Sequence, residues 1–343
     1  MSPNHLTWSD SDSENIAEVH RALRPWLSER MCRNRMLSAD HALTDQLETT
    51  IREWAIQTGM GEHHLKTIDR ARMGHFVGMV APGAPLHVML LIAKVEILPL
   101  VVNSVDLYER PIADLTEPTA RILAGGSPPR SDGGYFRAAT VLRDEIIEAG
   151  GAALLPGLVQ ILRDLFREYE RRQEWKRRGY VPSLAEYLSH RAISGAAMPG
   201  MWLQRLQPGL VGPEEMVPGR LRRLFQQANL LIGLENDLQS CYQEEEGAED
   251  PSLIRIITRE YAVSTSGAFP CALALVGGLR YEFDTAVHEG RSNPELPESV
   301  RRHAPATVHW VDGVHTWGLT TPWYGYVGVG LADRLVTQVE GRS

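Results

Sequence analysis

Three oxygen-bearing side chains recur every fourth residue in the stretch NDLQSCYQE, which runs from Asn236 to Glu244. Asn236, Ser240 and Glu244 stand at positions i, i+4 and i+8, so a helix would place all three along one face. An amide oxygen, a hydroxyl and a carboxylate are hard ligands of the kind that Mg²⁺ binds, with water and phosphate oxygens completing its shell. The spacing therefore predicts a magnesium site; the alternative is a polar helix face with accidental spacing.

Helical periodicity predicts the elements that must position these residues. Apolar residues recur at intervals of three and four from Leu221 to Leu238, and the runs Leu154–Tyr169 and Ser183–Ile193 follow the same pattern. Ser183 is expected to cap the last of these helices, because Glu186 follows three residues later in a capping box. Strand-like alternation is scarce, so the sequence predicts an all-α fold of roughly ten or more helices.

The bulk composition limits the class of protein. The 343 residues are 43% hydrophobic and 23% charged, which is typical of a globular protein, and we expect one domain over residues 1–343 with flexible ends at 1–15 and 335–343. The formal net charge of −8 argues against a nucleic-acid partner, which would favour a basic face. Any anionic substrate would then need local cations or metal ions.

The sequence also predicts a cytoplasmic protein without membrane insertion. Its three cysteines are far apart and in no metal-binding spacing, which indicates reduced thiols, and the polar, acidic N-terminal segment is not a signal peptide. The most apolar stretch, Pro85 to Val102, is interrupted by Lys94, Glu96 and Pro99. We interpret this stretch as a buried core helix and not a membrane span.

The pattern N-D-L-x-S-x-x-x-E that begins at Asn236 resembles the metal-binding motif of bacterial class I terpene synthases. In that family the Asn, Ser and Glu hold one Mg²⁺ of a three-ion cluster. The resemblance covers roughly residues 15–330 and implies a class I terpenoid synthase fold, a helical bundle around an apolar cavity. It implies a lyase that ionises a prenyl diphosphate and cyclises the carbocation, with a homodimer as the family expectation.

A second segment, YLSHR from Tyr187 to Arg191, resembles the Y-L-x-x-R segment of the same family. The resemblance implies that Arg191 senses the diphosphate, with Ser194 as the linker and Gly195 as the effector carbonyl at a helix break. A guanidinium suits this role because it offers a planar, permanently charged fork to phosphate oxygens. The alternative for Arg191 is a surface salt bridge.

Aromatic residues are the third point of resemblance. Phe76 lies in the segment ARMGHFVGMVAP, and Trp310 and Trp317 lie in a W-x-x-G-x-x-x-W pattern that the family shares. Aromatic rings stabilise a carbocation without offering it a nucleophile, so all three are candidates to line the pocket. Ordinary core packing is the alternative for each ring.

Two segments depart from the family pattern. Where an aspartate-rich motif is expected, the chain has Asn103, Ser104 and Asp106, so metal binding by Asn103 and Asp106 should be weaker, because affinity for Mg²⁺ follows ligand charge. Where an Arg-Tyr pair is expected, the chain has Trp323 and Tyr324, which leaves Tyr324 as a substrate-binding candidate without its cationic neighbour. These losses of charge keep open a catalytically weakened homologue that only binds prenyl diphosphate.

The function predicted on this basis is a diterpene synthase of bacterial secondary metabolism, with geranylgeranyl diphosphate favoured and farnesyl diphosphate next. The substrate preference follows from the spacing of the altered aspartate-rich motif, which resembles that of some diterpene synthases. A head-to-tail prenyltransferase normally needs two aspartate-rich motifs, and this chain has neither. A helical interaction module with chance motifs is the remaining, non-enzymatic alternative. Product skeleton and stereochemistry cannot be predicted from residue types.

Overall fold

The computed structural model describes Trp26 and residues 41–104, 112–129, 133–240 and 251–324. In these ranges the chain forms thirteen α-helices and three short 3₁₀ helices, and no strand occurs in them, which confirms the all-α prediction. The α-helices are α1 (His41–Gln57), α2 (Glu62–Ala71), α3 (Met73–Val80), α4 (Leu86–Ser104), α5 (Ala113–Leu123), α6 (Gly134–Glu148), α7 (Leu155–Arg178), α8 (Leu184–Ser194), α9 (Met198–Leu203), α10 (Gly219–Ser240), α11 (Leu253–Glu260), α12 (Thr265–Ser292) and α13 (Glu298–Thr320). The 3₁₀ helices are Ala152–Leu154, Gln204–Leu206 and Pro322–Tyr324.

Helix α4 passes through the core. It packs against α3, α6 and α9, and its apolar residues are almost all buried. By length and composition Leu86–Asn103 could cross a membrane, with a mean hydropathy of 1.8, but 72% of this stretch is buried within the bundle. Helices α11 and α12 pass the same test only as a pair bent by 113°. The burial of α4 is that of a core helix.

The charged residues of α4 have separate surroundings. The Lys94 ammonium lies 2.6 Å from the Glu145 carboxylate of α6 and also sits over the Trp54 ring, 5.3 Å from its centroid. Because a buried charge is costly unless it is paired, these contacts explain how Lys94 is tolerated in the core. Glu96 forms no ion pair with any residue in the described ranges and belongs to the site described below.

Helices α8, α10 and α13 carry most of the predicted site. α10 packs against both of the others, and its buried face includes Leu221, Leu224 and Phe225, as the sequence periodicity predicts. Helix α8 begins with the predicted capping box: the Glu186 backbone N–H donates to Ser183 Oγ, and the Ser183 N–H donates to the Glu186 carboxylate. This cap sets the start of the helix that carries Arg191.

Candidate active site

A cavity of about 150 Å³ opens between helices α3, α4, α7, α8, α10 and α13. Its lining combines an apolar and aromatic set with a polar set, the mixture expected of a small-molecule site. The apolar set includes Met73, Phe76, Pro99, Leu100, Ile232, Val314, Trp317 and Trp323. The polar set includes Glu96, Asn103, Tyr169, Arg172, His190, Arg191, Ser194 and Asn236.

Two of the predicted metal ligands lie in this lining. Asn236 projects from α10, and Asn103 is an exposed residue at the end of α4. Ser240 lies one turn beyond Asn236, and its hydroxyl donates a 2.8 Å hydrogen bond to the Asn236 carbonyl. The Ser240 oxygen is only the donor in this bond, so the bond does not occupy its lone pairs. Asp106 and Glu244, the predicted carboxylate ligands, lie outside the described residues.

Arg191 is buried beside Asn236, only 9% exposed, and is not on the protein surface. Its Nη2 lies 3.3 Å from Asn236 Oδ1 and also donates to the Gly233 carbonyl of α10. Its Nη1 lies 3.4 Å from Ser194 Oγ. The guanidinium predicted to sense an anion and the amide predicted to bind a metal ion are therefore neighbours at one wall of the cavity.

Asp237 and Tyr187 hold this guanidinium in place. Asp237 Oδ1 lies 2.9 Å from Arg191 Nη2, and Asp237 Oδ2 accepts a 2.6 Å hydrogen bond from the Tyr187 hydroxyl. Burial raises the pKa of Asp237, while the Arg191 charge and the Tyr187 hydroxyl act to lower it. Asp237 and Tyr187 were assigned no role from the sequence, although each lies within one of the two motifs. Asp237 directly follows Asn236, and Tyr187 begins the Y-L-x-x-R segment.

The helix break after Ser194 is fixed by the side chain of Asn229. Asn229 is fully buried; its amide donates to the carbonyls of Ala192 and Ile193 at 2.9 and 3.0 Å, and its oxygen accepts from the Ala197 N–H at 2.9 Å. A Cβ on Gly195 would lie 2.0 Å from the Asn229 carbonyl oxygen. Because α8 and α10 touch backbone to backbone here, only glycine fits at position 195.

The predicted aromatic residues divide into two layers. Phe76 and Trp317 line the cavity and meet edge to face, with ring centroids 5.5 Å apart. Trp310 lies behind Phe76, at 5.9 Å and also edge to face; it is fully buried, donates to Gln204 Oε1, and is not part of the cavity lining that the structure describes. It supports Phe76 and does not form the wall.

Trp323 is an aromatic member of the wall that the sequence did not single out. It packs against Trp317 at a centroid distance of 5.9 Å, and the Arg70 guanidinium lies 5.6 Å from its ring and donates to its carbonyl oxygen at 2.8 Å. The signal was its place in the segment where the family has an Arg-Tyr pair. Tyr324 follows it in a 3₁₀ helix, but its side chain is outside the described part of the chain.

Three other polar wall residues were not predicted from the sequence. Arg172 of α7 brings a second guanidinium to the lining. His190 donates a 2.8 Å hydrogen bond from its Nδ1–H to the Glu168 carboxylate, and burial lowers the pKa of its ring. Glu96 of α4 is the acidic member of the lining in the described ranges. Arg172 and Glu96 come from helices far apart in sequence, so spacing along one helix could not reveal them, whereas His190 adjoins Arg191 within the YLSHR segment.

Solved structures with the same fold are class I terpene synthases. The chain aligns with 2-methylisoborneol synthase from Streptomyces coelicolor A3(2) at a TM-score of 0.72 and 16% identity, covering 83% of this chain and 94% of that one. It aligns with α-eudesmol synthase at a TM-score of 0.67 and 18% identity, covering 81% and 95%. These matches confirm the predicted fold: an all-α class I terpene synthase bundle.

The sequence itself defines the family. Residues 106–278, just over half of the chain, match the family described as terpene synthase family 2, C-terminal metal binding, so the chain belongs to the terpene synthase family. Delta-guaiene synthase 3 of Aquilaria crassna is 29% identical over 129 residues, or 37% of this chain. The aligned part is 24% of that protein, so this chain matches about a quarter of its curated relative.

Proposed function

We propose that this chain binds a linear prenyl diphosphate, ionises it with Mg²⁺ and cyclises the resulting carbocation to a terpene, releasing diphosphate. The observation that carries this proposal is the contact of Arg191 with Asn236 at the wall of a cavity that also holds Phe76, Trp317 and Trp323. An anion site thus adjoins an aromatic pocket, as the two halves of a prenyl diphosphate require. Membership of the terpene synthase family supports the same activity.

Arg191 and Ser194 are proposed to bind the diphosphate, with Tyr324 as a further contact. Arg191 would stabilise the charge of the leaving group through charge-assisted hydrogen bonds, which gain strength in a site that excludes water. Gly195, at the break fixed by Asn229, would present its carbonyl to the substrate. Because Asp237 already orients the guanidinium, little reorganisation is needed when the anion binds.

The candidate metal ligands among the described residues suit a hard cation but carry no charge. Asn103, Asn236 and Ser240 offer amide and hydroxyl oxygens, and no group of three or more His, Cys, Asp or Glu side chains is clustered in the ranges described. Asp106 and Glu244 would add the carboxylates, for up to three ions. When bound, Mg²⁺ supplies Lewis-acid stabilisation of the diphosphate oxygens. The related 2-methylisoborneol synthase was solved with Mg²⁺ and 2-fluoroneryl diphosphate, which supports this assignment.

The aromatic wall is proposed to shield and stabilise the carbocation. Phe76 and Trp317 present rings to the cavity, and Trp310 fixes the position of Phe76 from behind. Ring faces attract a cation without offering a lone pair, and their bulk keeps water from quenching it. We favour geranylgeranyl diphosphate as the substrate, with farnesyl diphosphate next, and a diterpene of bacterial secondary metabolism as the product. We place the enzyme in the cytoplasm as a homodimer.

The activity is tested by incubating the purified protein with Mg²⁺ and the C10, C15 or C20 diphosphate, with gas chromatography of the products and assay of released diphosphate. Arg191→Lys and Asn236→Ala should each lower turnover by roughly 10²-fold or more, as loss of one preorganised donor or ligand does. Arg167→Lys is the matched control, because Arg167 is an exposed residue of α7 paired only with Asp164 in the described structure. Equal turnover in all three variants would refute the assigned roles.

The weakened, diphosphate-binding homologue is the second candidate, favoured by the neutral Asn103 in place of an aspartate. It predicts that the protein binds a prenyl diphosphate with Mg²⁺ in calorimetry but releases neither diphosphate nor hydrocarbon. Product from any of the three substrates would exclude it.

A further inference from the structure

One carboxyl group lies in the wall of the cavity. Glu96 of α4 is only 7% exposed and belongs to the lining. Its Oε1 accepts a 2.7 Å hydrogen bond from the Gly200 backbone N–H. For Oε2 the described residues provide no hydrogen-bond partner, and Glu96 takes part in no ion pair there. A carboxyl oxygen is thus available to a molecule in the cavity.

The position of Glu96 is fixed by a close approach between helices. A Cβ added to Gly200 would lie 2.7 Å from Glu96 Oε1 and 2.3 Å from the Trp310 ring, so only glycine lets the backbone N–H meet the carboxyl. Trp310 is itself held by Gln204, in the 3₁₀ helix after α9. The Glu96 carboxyl is therefore held in one orientation in the cavity wall.

The surroundings keep this carboxyl neutral. Burial raises the pKa of Glu96 to about 8, and the Gly200 hydrogen bond only partly opposes that effect. Of the titratable groups nearby, Lys94 is paired with Glu145, and burial raises the pKa of Tyr169. Arg191 of α8 is paired with Asp237, and Arg172 of α7 lines the same cavity, as does His190. A buried carboxylic acid that is protonated at neutral pH can donate its proton.

We infer that Glu96 transfers protons during the cyclisation, giving one to a neutral olefin intermediate and taking one back from the final carbocation. This inference rests on the proposed terpene synthase function. It gives the cavity an internal acid, so that the reaction can pass through an uncharged intermediate and be restarted without a second ionisation.

Protons and electrons balance over the reaction steps. The first carbocation loses a C–H proton to the released diphosphate, and the C–H electron pair becomes a C=C bond. Glu96 then gives its Oε2 proton to a C=C carbon; the π electrons form the new C–H bond, leaving a second carbocation beside a carboxylate. That carbocation loses a neighbouring proton to the carboxylate, which forms the product double bond and restores the acid. Substrate becomes hydrocarbon and protonated diphosphate, and nothing else is consumed.

Electrostatics favours this exchange inside the cavity. A carboxylate buried in this wall is costly, but a carbocation beside it is an opposite charge that stabilises it. No oxidant or further reactant is needed. Tyr169 is a poorer donor, because its pKa is raised by burial and by Glu96. Arg172 and Arg191 are permanent cations and do not give up protons.

The test is turnover in D₂O by the full-length wild-type protein and by Glu96→Gln, with mass spectrometry of the hydrocarbon and assay of released diphosphate. A glutamine oxygen can still accept from Gly200, so the variant keeps the hydrogen bond and loses only the acid. Glu117→Gln is the control, because Glu117 is an exposed glutamate of α5, paired with Arg163 and outside the described cavity lining.

Wild-type protein and the Glu117 variant should give product carrying one deuterium. Glu96→Gln should release diphosphate within about threefold of the wild-type rate but yield an unlabelled, less cyclised olefin as the main product. Diphosphate release with an unlabelled wild-type product, or the same labelled product from Glu96→Gln, overturns the role of Glu96 and leaves the synthase function standing. No diphosphate release by wild-type protein overturns both.

Discussion

The buried Glu96 should make the free energy of unfolding depend on pH, and comparison with Glu96→Gln isolates this contribution. The pKa of Glu96 is about 8 in the folded protein, against an ordinary value of 4.5. Its contribution to stability is therefore complete below pH 4.5 and is lost as the pH rises through about 8, because the unfolded chain ionises first. Glutamine does not titrate, so Glu96→Gln removes this dependence.

The size of the effect follows from the two pKa values. Between them the free energy of unfolding of the wild type falls by about 1.4 kcal/mol per pH unit relative to the variant, for a total of about 5 kcal/mol. Solvent screens this carboxyl little, since the residue is only 7% exposed. His303, whose pKa burial lowers to about 3, titrates in both proteins and cancels in the comparison.

The assay is urea unfolding of both proteins at half-unit steps from pH 4 to pH 9, followed by circular dichroism. The glutamine variant should gain steadily on the wild type between pH 4.5 and pH 8 and run parallel outside that range. If unfolding is irreversible, melting temperatures serve instead, and the gap should change by roughly 7 °C across the range. Curves that stay parallel throughout would show that Glu96 is ionised in the folded protein, and the reasoning about its charge state would be refuted.

Two further changes test the positions around Arg191. Gly195→Ala should abolish turnover and lower stability by about 2 kcal/mol or more, because the new methyl group meets the Asn229 backbone oxygen at 2.0 Å; product assay and thermal melting measure this, and a normal melting temperature with normal turnover would contradict it. Tyr187→Phe removes a hydrogen bond to the buried Asp237 and should cost about 1–3 kcal/mol of stability, measured by urea unfolding, with a raised KM for the diphosphate substrate as the guanidinium loses its fixed orientation. An unchanged unfolding midpoint would show that Asp237 needs no such donor.

The elements that carry the site were predictable because their signals are local. The periodicity of α10, the capping box of α8 and the burial of α4 all depend on residues within a few turns of one another. The resemblance assigned Arg191 and Asn236 roles in one site but predicted no contact between them, and the structure places Arg191 Nη2 3.3 Å from Asn236 Oδ1. No spacing within a single helix would have predicted that contact, which joins two helices.

The parts that escaped prediction depend on tertiary packing. In the sequence Glu96 was only a charge that interrupts an apolar stretch, and its place in the cavity follows from the approach of α9 at Gly200. Trp310 and Trp317 share one motif, yet only Trp317 reaches the cavity, because Phe76 stands in front of Trp310. Helical spacing states which side chains share a face but not which of them meets a void.

Asn229 illustrates how a residue remote from chemistry can govern it. Its single amide joins three backbone groups on the two sides of the break between α8 and α9, and no other side chain of similar size offers two donors and an acceptor in that arrangement. In a random-mutagenesis screen most substitutions of Asn229 should therefore abolish activity, although Asn229 lies outside the described cavity wall. Substitutions meant to change the product are better made at Met73 or Val314, whose side chains line the cavity and do not hold the break between α8 and α9.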